Sequence, residues 1–193
     1  IFSNTEVANS LSSGVINGTQ LADEFKLMGL GSVLVNDTTF NEVGSVNGNS
    51  GDNKLVGLET DDKFYLSADE SGTAYNKISS QGIDFNNITN ILGGGGDNHL
   101  YGTSRDESFQ LTDISLQLIS NNMLFDDIHS VSGSTGDDEL IGQHNQTWQV
   151  SGVDNSITAR DVDFSEVEII SNSGLATLVG SAQADEFSLI STN

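Results

Sequence analysis

Hydrophobic and polar residues alternate over short runs along this chain. KFYLS (63–67), SFQLT (108–112), TWQVS (147–151) and EFSLI (186–190) each place an aromatic and an aliphatic residue two positions apart. Successive side chains on a strand point to opposite faces, so each pair lies on one face of a β-strand. FNNI (85–88), FDDI (125–128) and FSEV (164–167) place apolar residues three apart instead, which predicts a strand running into a bend. FDDIHS has room for a helical turn but is too short for a helix. No stretch sustains a 3.6-residue period with caps. The chain is therefore predicted to be all-β.

The runs recur in a fixed frame. VNGNSGDNKLVG, ILGGGGDNHLYG, VSGSTGDDELIG and IISNSGLATLVG begin at 46, 91, 131 and 169. Aligning Leu55, Leu100, Leu140 and Leu178 gives intervals of 45, 40 and 38 residues, and a further step of 39 backwards reaches Ile16. The aromatics fall into two columns of this frame. Phe2, Phe40, Phe85, Phe125 and Phe164 form one; Phe25, Phe64, Phe109, Trp148 and Phe187 form the other. Together they account for all nine Phe and the single Trp. The chain is thus one repeat array over 1–193, with repeats at about 2–39, 40–84, 85–124, 125–163 and a partial one at 164–193. It opens and stops in mid-repeat, as expected of a piece of a longer protein.

A repeat of short strands with glycine corners and one apolar face cannot close its own core, and stacked copies can. The expected architecture is a parallel β-helix, or β-solenoid, with layers ~4.8 Å apart and right-handed winding. Two coils of about 20 residues would fill each repeat; one wide coil with a loop is the alternative. Propeller blades are also about 40–45 residues long, but they need hairpin turns, and few hairpin signals are visible. The two aromatic columns are expected to stack as ladders in one core. The spacing between columns is nearly constant in one direction. In the other it carries one insertion, within 67–82, read as an outward loop. The absence of proline suits a stack in which nearly every backbone N–H is needed by the next layer.

Charge narrows the partners. Six basic residues against 28 acidic give a formal charge of −22. Nucleic acid and anionic lipid are bound through Lys and Arg, so both are excluded as partners. No apolar run approaches the ~20 residues of a membrane helix, and membrane insertion is not expected. With no cysteine, disulfides, thiolate metal sites and cysteine nucleophiles are absent. Disorder is argued against by the regularly placed aromatics and 35% hydrophobic content.

The glycine-aspartate turn has three readings. A phosphate loop needs a helix after the glycines and usually a Lys; here a strand follows and the charge is wrong. A calcium turn is supported by GSTGDDEL (133–140), GGGGDNHL (93–100) and GNSGDNKL (48–55). These fit part of the toxin-type nonapeptide G-G-x-G-x-D-x-U-x, and calcium accepts carboxylate, amide and carbonyl oxygens. The candidate ligands are Asp52, Asn53, Asp97, Asn98, Asp137 and Asp138, and calcium is the one cofactor considered. The third reading is a plain corner, with Gly for the backbone and Asp or Asn capping the turn. Acids also precede the second aromatic column at Asp23, Glu24, Asp61, Asp62, Asp106, Glu107, Asp185 and Glu186, where solvated turn residues are expected.

Catalysis is not expected, and no catalytic residue is assigned. The Asp137–Asp138 pair imitates a hydrolase pair, but the same frame position carries Asp-Asn twice and Leu-Ala once. His99, His129 and His144 occupy different frame positions and make no ligand set.

TWQVSG, FSEVEII, FNNITNILGGGGDNHLYG and FDDIHSVSGSTGDDELIG resemble the repeats of very large bacterial exoproteins, the filamentous-haemagglutinin-like and two-partner-secreted adhesins and biofilm-matrix adhesins. The resemblance spans the whole chain. The glutamate of that pattern is kept at Glu168 and replaced by Thr89 and His129. The resemblance implies secretion to the bacterial cell surface or beyond, an elongated β-helix, and attachment to cells, matrix polysaccharide or neighbouring copies of the protein. Two functions follow: a stalk or filament segment presenting a binding region elsewhere, or a module whose own lateral face holds glycan or calcium. Exposed aromatics at one coil position would favour the second, and only Tyr65, Tyr75 and Tyr101 are free of the core columns. Tyr65, next to Phe64, is expected to face outward.

Overall fold

A computed structural model describes residues 7–67, 77–152 and 156–185. Its strands are β1 (Val7–Asn17), β2 (Glu24–Gly29), β3 (Ser32–Val35), β4 (Thr38–Asn47), β5 (Lys54–Val56), β6 (Lys63–Leu66), β7 (Lys77–Ser80), β8 (Ile83–Asn86), β9 (Asn90–Leu92) and β10 (His99–Tyr101). They continue as β11 (Ser108–Leu111), β12 (Leu118–Ser120), β13 (Met123–Asp126), β14 (Ser130–Ser132), β15 (Glu139–Gly142), β16 (Gln146–Val150), β17 (Ser156–Ala159), β18 (Val162–Ser165), β19 (Ile169–Asn172) and β20 (Ala176–Val179). The described residues contain no helix. The chain is an all-β solenoid of about five turns, a parallel β-helix.

The strand pairings trace two runs. One runs β3–β2–β5–β9–β13–β12–β11–β15–β19, the other β8–β7–β6–β10–β14–β18–β17–β16–β20. Among the described residues they meet in β1 and β4, whose first halves belong to one run and second halves to the other. Both turn their apolar face into one core. KFYL and SFQL alternate exposed and buried along their length, so the period-two pattern of the sequence is the inside-outside pattern of the fold.

The rungs of the solenoid do not coincide with the sequence repeat. Phe25 pairs with Leu55, Leu55 with Ile91, and Ile91 with Phe125. Phe64, Leu100, Val131 and Phe164 form a second ladder, and Phe109, Leu140 and Ile170 a third. Neighbours in a ladder are about 30 to 39 residues apart in sequence. The expectation of two ~20-residue coils per repeat is therefore corrected. Nor do the aromatic columns stack on themselves. Each four-rung ladder has an aromatic from one column at one end and from the other column at the other, with aliphatics between. Phe25, Phe64, Phe85, Phe109, Phe125, Phe164 and Trp148 are nonetheless all buried, and Phe40 packs on the core half-buried. Phe2 and Phe187 lie outside the described residues. Each fully buried Phe contributes about 1.5–3 kcal/mol relative to exposure.

Four tight hairpins, little anticipated from the sequence, occur among the described residues. β3–β4, β7–β8, β12–β13 and β17–β18 are antiparallel pairs joined by two residues. Both linking residues have positive φ: Asn36 and Asp37 (49°, 61°), Gln81 and Gly82 (50°, 72°), Asn121 and Asn122 (49°, 59°), Arg160 and Asp161 (54°, 64°). This is the type I′ signature, whose twist matches that of the flanking strands. The 67–82 segment is accordingly not a loop throughout. Lys77–Ser80 is β7, with Ile78 buried, and Gln81–Gly82 is its turn. Residues 68–76, with Tyr75, lie outside the described residues. The bend expected in FNNI and FDDI is present: Asn87 and Asp127 have φ of 58° and 63°, and Phe85, Ile88, Phe125 and Ile128 are all buried.

Candidate functional site

The glycine-aspartate turns are corners that carry the chain from one run of strands to the other. Gly48, Gly93 and Gly133 open them. A Cβ on Gly93 would collide with the carbonyl oxygen of Asp127 and the side-chain amide of Asn98. One on Gly133 would collide with the carbonyl of Glu166 and the carboxylate of Asp138. Layers stacked at ~4.8 Å leave no side-chain space where the backbone turns. Each of these glycines donates its N–H one layer onward: Gly48 to Asn86 O (2.9 Å), Gly93 to Asp126 O (2.8 Å) and Gly133 to Ser165 O (3.0 Å).

The residue after the aspartate faces inward. Asn53, Asn98 and Asp138 are fully buried, and each bridges layers. Asn53 Oδ1 accepts the Asp23 N–H (3.0 Å) and its Nδ2 donates to Asn87 O (2.9 Å). Asn98 Oδ1 accepts the Asp62 N–H (3.0 Å) and its Nδ2 donates to Asp127 O (3.0 Å). Asp138 Oδ1 accepts the Glu107 N–H at 2.7 Å. Backbone groups of Asn98 and Asp138 are held in turn. The Asn98 N–H donates to His129 Nδ1 (3.3 Å) and the Asp138 N–H to Glu168 Oε2 (2.9 Å). Thr89, at the same frame position, donates its hydroxyl to Asn53 O (3.2 Å). The glutamate position of the repeat pattern thus has a physical role, which is to hold the corner of the layer before it.

The acids before the second aromatic column close the preceding loop. Asp23 accepts the Thr19 N–H (2.7 Å), Glu107 that of Thr103 (2.8 Å) and Asp185 that of Ser181 (2.7 Å); Asp62 accepts that of Leu58. Asp62 and Glu107 are themselves buried, so the expectation of solvated turn residues is corrected for these two. Asp61 and Asp106, one position earlier, accept the N–H of Asp97 (2.9 Å) and Asp137 (3.0 Å) in the next layer.

The six calcium candidates therefore divide. Asp52, Asp97 and Asp137 are exposed on the outer side of the corners, whereas Asn53, Asn98 and Asp138 are turned into the core. The amide N–H groups of Asn53 and Asn98 are spent on carbonyls and their oxygens on backbone N–H groups. The residues present do not fit a cage built from all six. Among the described residues no group of three His, Cys, Asp or Glu side chains converges as a metal site.

A second cluster lies on the outer face. Tyr101 stands opposite Tyr65 in the β6–β10 pair, with ring centroids 4.8 Å apart and planes 11° apart. His99 stacks on Tyr101 at 4.0 Å. His99 Nδ1 bonds Ser130 Oγ (2.6 Å), while Nε2 is buried without a partner. Burial, and then the Lys63 ammonium, hold His99 below the usual imidazole range. Tyr65 faces outward as expected, 42% exposed. Its pairing with Tyr101 was not legible, because the two stand at different positions of the repeat frame.

Compared with protein-family models, curated proteins and solved structures, the chain matches none of them.

Proposed function

We propose that this chain is a non-catalytic stalk or filament segment of a secreted bacterial adhesin or biofilm-matrix protein, which holds a binding region away from the cell. The observation that supports this reading is the use of the polar residues. Asn53 and Asn98 are committed to holding one layer to the next, Asp62 and Glu107 to closing their own loops, and most of the other described acids lie on the outer surface of a chain of formal charge −22. A charged coat keeps an elongated particle soluble and separate from like-charged neighbours. Antibodies against the folded chain should label the surface of intact cells of the organism that makes it. In-frame removal of residues 40–124 should shorten the reach of the protein while its ligand recognition persists. Loss of recognition itself would place the binding function in the array and reject the stalk.

A second reading is favoured by the Tyr65–Tyr101–His99 stack. Tyrosine combines an apolar ring face with a polar tip, a combination suited to sugar rings. On so acidic a chain the fitting ligand is a neutral or amino-sugar polymer. Isothermal titration with such polysaccharides should then give saturable binding that Tyr65→Ala and Tyr101→Ala remove. Heat signals unaffected by both substitutions would leave the tyrosines as a cross-strand pair that supports the sheet.

A further inference from the structure

Asp138 is the corner residue in which a carboxylate stands where Asn53 and Asn98 carry an amide. In those two corners Nδ2 donates to the carbonyl of the bend one layer on, Asn87 or Asp127. In the third corner the corresponding carbonyl is that of Glu166, and the atom facing it is Asp138 Oδ2. The correspondence is geometric. A Cβ on Gly48 would collide with Asn53 Nδ2 and Asn87 O, one on Gly93 with Asn98 Nδ2 and Asp127 O, and one on Gly133 with Asp138 Oδ2 and Glu166 O. Asp138 is fully buried, and its Oδ2 has no hydrogen-bond partner. Two acceptor oxygens brought together in a dry corner repel unless a proton lies between them.

We propose that Asp138 is held as the neutral acid in the folded solenoid and donates its proton to the carbonyl of Glu166, so that this corner tightens in acid and loosens as the pH rises. The groups around it support the neutral form. Glu107, Glu168 and Asp106 all bring negative charge to it. The Glu166 carboxylate, nearby on the bend, accepts the Ser132 hydroxyl (2.5 Å). Asp137 and Glu139, its chain neighbours, add further negative charge. Burial, and then Glu107, Glu168 and Asp106, raise Asp138 to about 6, against the opposing effect of the Glu107 N–H, which favours the charged form.

The sign follows from linkage. The folded chain binds this proton more tightly than the unfolded chain, whose aspartate titrates near 3.8. The stabilisation is complete below 3.8 and is lost as the pH rises through about 6. His99 acts in the opposite direction, since a depressed imidazole loses its contribution as the pH falls. A comparison of wild type with one Asp138 variant removes the His99 effect, which is common to both.

The variant is Asp138→Asn, which supplies a permanent donor. Its folding equilibrium constant, divided by that of wild type, should rise on the order of a hundredfold between pH 4 and pH 8 in urea titrations. In wild type, the carboxyl carbon of Asp138 should titrate by NMR with a midpoint near 6, a measurement that needs no variant. A ratio flat across this range, or a midpoint at or below 3.8, would overturn the proposal. So would stabilisation of wild type but not of Asp138→Asn by calcium above pH 7, because Asp138 would then be an ionised cation ligand.

Discussion

Phe25 and Phe125 stand at opposite ends of one ladder, separated by Leu55 and Ile91. Leu55 and Ile91 fill the middle of this ladder, and beyond Phe125 the core continues onto Leu118 of the antiparallel β12. All four ladder side chains are buried. Truncating any of them opens a cavity between layers that neighbours hydrogen-bonded along the whole ladder cannot collapse to fill. Leu55→Ala should cost about 2–5 kcal/mol, and Phe109→Ala, in the ladder with Leu140 and Ile170, about 3–5 kcal/mol. Urea unfolding would measure both; a loss below about 1 kcal/mol for either would contradict the packing described here.

Glycines at corners and glycines in hairpins should respond differently to alanine. Gly93→Ala drives a methyl into the Asp127 carbonyl and the Asn98 amide. Backbone must move, and a loss of about 3 kcal/mol or more is expected. Gly82→Ala, in the β7–β8 turn, meets only the end of the exposed Leu30 side chain at 3.1 Å. There the penalty is the left-handed backbone alone, about 1–2 kcal/mol. Thermal melts of the two variants should rank them in that order.

Asn98 joins the Asp62 N–H to the Asp127 carbonyl. Asn98→Ala leaves both groups unpaired in the core, at about 1–3 kcal/mol each. Asn98→Asp keeps the acceptor and loses the donor. It should therefore resemble Asp138 and become more stable in acid than at neutral pH, relative to wild type. A pH-independent loss would show that the Asp127 carbonyl finds another donor.

Calcium should leave stability nearly unchanged. The Asn53 and Asn98 side chains already have protein partners on both atoms, so a corner would have to give up hydrogen bonds to bind an ion. Melting temperature should be the same in chelator and in millimolar calcium at equal ionic strength. A rise with calcium concentration, removed by Asp137→Asn, would instead place a site on the outer edge of the corners, by mass action.

The sequence made the inside and outside of each strand legible, because Phe64 and Leu66 or Phe109 and Leu111 declare one face by their spacing. It made the corners legible through the recurring Gly-Asp frame. The layering was not legible. A ladder partner such as Leu55 for Phe25 belongs to a different frame position, so aligning like with like pairs residues that are not rung partners. The hairpins were hidden for another reason. Asn36–Asp37, Asn121–Asn122 and Arg160–Asp161 adopt left-handed backbone without the glycine that normally announces it. The roles of Thr89, His129 and Glu168 were equally hidden, since three unlike side chains serve one corner position through different atoms.

Successive copies of any frame position fall on alternate runs of strands. Phe64 and Trp148 lie in one run, with Phe109 between them in sequence but in the other. On one run the strands that carry them, β6 and β16, are separated by β10, β14, β18 and β17, which is about 24 Å at 4.8 Å per strand. A flat partner lying along one side would therefore meet every second copy of a surface residue, at that wide pitch. The copies between would face the opposite direction, so a substitution that evolution places in every repeat makes a two-sided surface, able to join two partners at once.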